Sequence, residues 1–580
     1  MILQALTQYY ETLSSQGILD RLGWNKVKIS FALELNLNGD LVRIHSLQHE
    51  EKRGNKSYLI PREISLPAPV KRSSGIKANF LYDNSSYLLG IDNKDNPKRA
   101  RDCFEHAKEL HLDILKDVQS SCADSIKSFF RKWNVYDAQE RLMESGFYEE
   151  IINGANLIFM IDNAFPQEDQ KISKAWDESY NSYSDTDYLS RCLITGNNVV
   201  PEKTHPSIKG VPNAQSSGAA LVSFNAASFC SYGKEQNLNA PIGKYAAFAY
   251  TTALNYLLAD RDHRKLIGDS VIVFWALNGE RAYQDTFSML MDTEGKGLSE
   301  KDIKEAMIHI SQGVPFTWEE QTLDSKQKFY VLGIAPNAGR LSIRFFMEDS
   351  FGSFVKHLIE HAQAIEIIPD KKTDSQMIPL WRLLKATVNE KSKDKTTSPK
   401  MAGETLRAIL SGGRYPSSLY QQVQLRIKAD RLITWERMSI VKAFLLRNNN
   451  DNGIKEAMTV ELNEHTTYQP YVLGRLFAIL EAIQERANPG INATIKDKYF
   501  SSASATPGVV FPILVNLKDK HLRKLDTGTQ IYYEKAISEL MLMLSEDYPV
   551  HLSLQDQGVF QIGYYHQRQK RYEKKIKEEQ

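Results

Sequence analysis

Two histidines and a glutamate are the first residues whose types and spacing could do chemistry. His357, Glu360 and His361 form an HxxEH pattern, in which imidazoles at i and i+4 share one helix face and can grip a zinc ion. Nothing downstream offers a third ligand at comparable spacing. The plainer reading is a helix begun near Ser350 that carries two surface histidines beside Phe351, Phe354, Leu358 and Ile359. Asp185-Thr186-Asp187 and Pro369-Asp370 resemble nuclease carboxylates but lack matched partners, and read as solvated loops. Cys103, Cys122, Cys192 and Cys230 are scattered without a CxxC pair, so no zinc ribbon can be argued. A GxxxxGK(S/T) phosphate loop and a GxSxG hydrolase elbow are both absent. The expectation is a protein without catalytic residues, metal or cofactor. A zinc-dependent hydrolase using the HxxEH helix and a pure assembly scaffold are the competing expectations.

Binding chemistry is better represented. In PVKRSSGIKANF, Lys71, Arg72 and Lys77 flank Ser73, Ser74 and Gly75. Small residues let backbone N–H groups approach a phosphate while the cations neutralise it. In SYGKEQNLNAPIG, Lys234 is followed by Gln236, Asn237 and Asn239, whose amides can pair with adenine or donate to minor-groove acceptors. In RLSIRFF at 340–346, Leu341, Ile343 and Phe345 alternate with Arg340, Ser342 and Arg344, which would share a strand face able to meet phosphates. A basic surface loop, an Asn-rich turn and a solvated strand face explain the same residues without a ligand, so these alternatives stay open.

The elements that must position these groups follow from periodicity. Residues 1–16 repeat apolar side chains at helical spacing, and 27–37 alternate strictly. Asn38-Gly39 then predicts a β-hairpin, with the apolar pattern resumed at Leu41, Val42 and Ile44. From about 50 to 79 the chain reads as an irregular basic loop, and 97–160 as mainly helical. Residues 166–188 read as an exposed acidic loop, and 190–243 as a long Gly/Ser/Asn/Pro-rich run with ordered apolar punctuation. VIVFWAL at 271–277 predicts a buried strand, and Ser299 with Asp302 a capping box for a helix reaching about 312. Residues 389–401 read as a linker. Beyond it, 402–411, 416–449, 470–487 and 529–546 have helical periodicity, and QRQKRYEKKIKEEQ ends the chain as a charged helical or frayed tail. The expected class is α+β: a mixed body over 1–388 with a β-hairpin and polar recognition loops, then an all-α bundle over 402–580.

Composition narrows the function classes. Across 580 residues, 72 Lys and Arg face 71 Asp and Glu, for a net charge of +1. That excludes binding by bulk positive charge but not local patches. No run approaches the roughly 20 apolar residues of a membrane span. MILQALTQYYETL lacks a basic n-region and a long apolar core, so no signal peptide is expected and the location expected is cytoplasmic.

The polar loops also carry a resemblance. MILQALTQYYETL, PVKRSSGIKANFLYDNSSYLLG at 69–90, HPSIKGVPNAQSSGAALVSFNAASFCSYGKEQNLNAPIG at 205–243 and LGIAPNAGRLSIRFF at 332–346 closely resemble the large-subunit family of the subtype I-C CRISPR Cascade complex. The resemblance covers essentially the whole chain, in order. It implies a non-catalytic subunit of a crRNA-guided antiviral complex, in which guide pairing reads sequence while protein reads a short protospacer-adjacent motif (PAM) in the duplex. The implied roles are PAM recognition, help with unwinding and R-loop formation, stabilisation of the displaced strand, and recruitment of a helicase-nuclease. The implied partners are crRNA, target double-stranded DNA with its displaced strand, the backbone, crRNA-processing and small subunits, and that nuclease, with no membrane. The DNA-binding candidates are Lys71, Arg72, Ser73, Ser74, Lys77 and Asn79 in the first loop, and Lys234, Gln236, Asn237 and Asn239 in the second. Lys209, Gln215, Ser216, Ser217, Asn225, Arg340 and Arg344 complete them. Asn79, Asp83 and Asn84 can instead brace turns, with Phe80, Leu81 and Tyr82 in the core. The resemblance further implies an internal translation start yielding a small subunit. Met458, after the polar break at 448–453, would leave a product of about 14 kDa, the size of a small helical domain. Its candidate strand-binding cations are Arg475, Arg486, Lys518, Lys520, Arg523 and Lys524.

Overall fold

The computed structural model describes residues 1–580 except 54, 55, 71, 73, 74, 95, 183–187, 292–304, 306, 307, 311, 319, 320, 371–377, 394, 546, 579 and 580. The class is α+β. The chain forms two compact units: Leu6–His205 with Phe224–Tyr250, and Met1–Ala5 with Pro206–Ser223 and Thr251–Gln580.

In the first unit the alternating run divides at Ser30. Trp24–Ile29 pairs antiparallel with Arg62–Pro67, while Phe31–Leu35 enters a four-stranded sheet. There it lies between Leu41–Ser46, antiparallel, and Leu157–Ile161, parallel, with Tyr82–Asp83 beyond. The hairpin expected at Asn38-Gly39 forms, and Asn36 holds it: its Oδ1 accepts from the Asn38 and Asp40 amides at 3.0 and 2.9 Å. Gly39, at φ 84°, lies against the Ser125–Phe129 backbone, where no Cβ would fit. The core over this sheet is aromatic, with Phe80, Phe104, Phe129, Phe130, Phe159 and Trp176 packed together.

Three expectations for this unit change. Much of the stretch read as irregular from 50 to 79 is strand, in the hairpin His49–Arg53/Lys56–Ile60 and in Arg62–Pro67. The described side chains of these strands are mostly exposed or half-buried, so they carry no apolar alternation to read. Leu157–Ile161 is a strand inside the region read as helical, and all five residues are buried. A fully buried strand shows a continuous apolar run rather than a period of two. Within the segment read as an acidic loop, Gln170–Tyr180 is a helix, capped by Asp169 and seated through Ile172 and Trp176.

The second unit is built on an antiparallel sheet in the order Arg264–Ile267, Ser270–Ala276, Lys328–Asn337, Arg340–Ser350. Helices Arg281–Met291 and Phe351–Ile365 pack on it through Phe287, Phe351 and Phe354. Ser299 and Asp302 lie outside the described residues. Residues 389–398 form no helix or strand among those described, and Pro399 opens the helix Pro399–Leu410 with Met401 already buried. The apolar core continues from this sheet into the helices that follow, as far as Tyr565. The helix expected over 416–449 is two, Ser417–Asp430 and Trp435–Asn448, separated at Arg431 (φ 58°). The charged tail is the end of a helix, Leu554–Glu578, whose first half is core. That helix crosses Gln469–Ala487 at Gly474 and Gly563, where a Cβ on either would overlap the other helix's backbone. Beside the crossing, Gln424 and Gln561 exchange amide hydrogen bonds of 2.9 and 2.7 Å. No helix among the described residues is long and apolar enough to cross a membrane.

Candidate nucleic-acid interface

The loop from 69 to 84 is closed from within. Asp83 is buried, and its carboxylate accepts from the Asn79 and Asn84 amides at 2.9 Å each. Arg72 pairs with that carboxylate, donates to the Lys77 carbonyl at 2.7 Å, and lies 4.1 Å over the Tyr87 ring. Burial pushes the Asp83 carboxyl up, and the Arg72 guanidinium opposes that shift. Asn79 is buried and accepts from the Val70 amide at 3.0 Å. Phe80, Leu81 and Tyr82 are core, and the Leu81 amide, at φ 70°, donates to His111 Nε2 at 2.8 Å. His111 is therefore the tautomer with its proton on Nδ1, given to the Ala107 carbonyl, and burial lowers its pKa to about 4. Lys77 is an exposed cation of this loop, and Arg72 is exposed as well despite its contacts, whereas Lys71, Ser73 and Ser74 lie outside the described residues.

The second loop is braced by one amide. Asn239 Oδ1 accepts from the Ser231 N–H at 2.9 Å, while its Nδ2 donates to the carbonyls of Lys234 and Gln236 at 3.1 and 2.9 Å. Asn237 is buried at 2%, with its own N–H turned to the Lys203 carbonyl. Lys234 is half-buried, and Gln236 is exposed in the left-handed region at φ 47°. The loop's exit is fixed by Lys244, whose Nζ donates to the Tyr180 carbonyl at 2.9 Å over that residue's ring. Asn225, near the entrance, is exposed. At the tip stands a residue that sequence reasoning passed over: Tyr232 is 98% exposed and holds φ 56°. An aromatic directly before glycine in a small-residue turn was the available signal.

In the other unit, Ile208 and Ala219 exchange backbone hydrogen bonds, and the Gly218 amide donates to the Gln215 carbonyl at 2.9 Å. Gln215, Ser216 and Ser217 are thereby held at an exposed turn. The Lys209 amide donates to Asn255 Oδ1 at 2.8 Å, which leaves its side chain exposed. Ala220 then bridges to the 337–340 turn, accepting from the Leu341 amide at 3.0 Å, so Arg340 and 215–217 occupy one region. Arg344 does not join them. The register slips between Gly333 and Ile334 and leaves Arg344 without an opposite residue. The single face expected for Arg340, Ser342 and Arg344 is broken there: Ile343 is exposed at 46%, and Arg344 pairs with Asp269.

The two histidines of the HxxEH pattern serve packing, while Glu360 stands 3.9 Å from Lys356 at the surface. His357 Nδ1 donates to the Leu410 carbonyl at 2.8 Å, and His361 Nδ1 lies 2.5 Å from the Tyr415 hydroxyl. Burial, helped by nearby Arg447, lowers the His361 pKa to about 3. Among the described residues no three His, Cys, Asp or Glu side chains gather as a metal site. Asp370 sits in an exposed bend, and Asp185 and Asp187 lie outside the described residues. Of the late cations, Arg475 is buried and bonded to Gln567 and the Asn463 carbonyl, Lys518 pairs with Asp519 at 3.1 Å, and Lys524 donates to Asn488. Arg486, Lys520 and Arg523 are exposed. Met458 is buried where the helix Asn452–Ala457 ends.

Compared with known families, residues 6–572 match the model described as CRISPR-associated protein (Cas_Csd1). No curated protein matches the chain.

Proposed function

The chain belongs to the CRISPR-associated Csd1 family, and from that premise we propose that it is the non-catalytic large subunit of a crRNA-guided type I-C Cascade complex. In this reading it recognises the PAM in double-stranded DNA, promotes unwinding, steadies the displaced strand and recruits the helicase-nuclease. The observation that carries the reading is the division of labour within the 231–239 loop. Asn239 uses its whole amide to hold the loop, which leaves Gln236 exposed on a fixed backbone beside Lys234. A fixed amide can discriminate base edges, which a mobile one does poorly. Lys77, Lys209, Gln215, Ser216 and Ser217 supply further polar surface for backbone contacts. Arg72, Asn79, Asn237 and Asn239 hold these loops rather than touch DNA.

The test uses the complete complex with guide RNA and partner subunits. Gln236→Ala should weaken binding to duplexes carrying the preferred flanking motif about tenfold, the scale of one lost bidentate base contact. Binding to guide-complementary single strands should not change. Equal loss on both substrates would overturn the assignment.

A further inference from the structure

Tyr232 is the most exposed large apolar side chain among the described residues. Its backbone is as unusual as its exposure. The Lys234 amide donates to the Ser231 carbonyl at 3.0 Å, closing a turn whose central residues, Tyr232 and Gly233, have φ of 56° and 67°. Turns with two positive φ values belong to Gly, Asn and Asp, whose side chains tolerate that geometry. A bulky aromatic there is an outlier, and such strain persists only where the surroundings impose it. Here they do: Asn239 fixes the Ser231 amide at one end of the turn and the Lys234 carbonyl at the other. The ring is therefore held out in solvent on a rigid mount.

The surroundings identify the occupant. An anchor for a protein partner sits among apolar neighbours. Tyr232 instead has one exposed ring before it, Phe229, and Lys234, Glu235 and Gln236 after it, and the space beside Gly233 is open. Cation, amide and bare backbone beside one aromatic face are what an unpaired nucleotide requires: phosphate neutralised, base stacked. We propose that Tyr232 is a stacking platform for a single nucleobase that leaves its pair when the duplex opens against this loop. This inference rests on the DNA-reading function above and adds the residue that receives the freed base.

A thermodynamic cycle on the complete complex tests it. Tyr232→Ala should weaken binding to motif-bearing duplex about tenfold, while Tyr232→Phe, which keeps the ring, stays within about twofold. Duplexes lacking one nucleobase at each successive position beside the motif provide the other arm. At one position the abasic duplex should bind wild type and Tyr232→Ala alike, because the partner of the ring is gone. Equal loss on the intact duplex and on every abasic duplex, or no loss at all, overturns the stacking role. Motif preference of the unaltered complex is scored separately. A complex that prefers the motif but shows no coupling at Tyr232 refutes stacking alone, and a complex without motif preference refutes the DNA-reading function together with it.

Discussion

Arg72 looks like a phosphate-binding cation and is positioned as a brace. Its guanidinium is the counter-charge of the buried Asp83 carboxylate, which also collects two backbone amides. Removing the part-exposed guanidinium leaves the buried carboxylate without its counter-charge, so Arg72→Ala should destabilise the first unit by about 1–3 kcal/mol, read as a lower urea midpoint. Lys77, exposed a few residues later, should behave in the opposite way. Lys77→Ala should leave the urea midpoint unchanged and reduce the salt dependence of DNA binding by about one unit of slope. A shared stability loss would show that Lys77 braces the loop as well. Residue types were enough to locate these loops in the sequence. Which amide faces outward was not legible, because Asn239 and Gln236 differ only in how the backbone turns between them. That turn depends on left-handed residues, including Tyr232, which no propensity would place there.

Elements were legible where one face meets the core and the other meets water. The amphipathic helix Pro399–Leu410 announces itself in this way, the hairpin around Gly39 by its turn, and the wholly buried strand Ser270–Ala276 only by its longer unbroken apolar run. The strands from His49 to Pro67 bury too little to show a period, and Leu157–Ile161 is buried on both faces. The final helix was hidden by Gly558 and Gly563, residues that ordinarily argue against a helix interior. They are required there by packing rather than by the local backbone. Gly563→Ala, which would drive a methyl into the facing helix, should cost at least about 3 kcal/mol by overpacking and appear as a lower urea midpoint. Gly403 is the opposite case: a Cβ there meets nothing within 4 Å. Gly403→Ala in its helix should stabilise by about 0.5–1 kcal/mol. Equal effects at the two positions would reject the crossing as the cause.

At the scale of the whole molecule, buried imidazoles contribute to the acid limit. Burial lowers His111 and His205 to about 4 in one unit, and His361 and His566 to about 3 in the other. For each, the folded pKa lies below the unfolded value of about 6.5, so only the unfolded chain takes up a proton as pH falls. The stabilisation is complete above pH 6.5 and is lost progressively toward pH 4, by about 3 kcal/mol for His111 alone. Urea midpoints measured from pH 8 down to pH 4 should be flat above about 6.5 and fall below it in both units. His111→Gln should flatten part of that slope, and an unchanged profile would show that its imidazole is already charged. The brace supplied by Asn239 has a consequence for time rather than for energy. A reading loop that is already ordered has no folding step to complete at each site it meets. Under the proposed function, such a subunit would reject a wrong flanking sequence as quickly as the DNA dissociates, with its dwell time on a genome of decoys set by off-rates and not by rearrangement of its own chain.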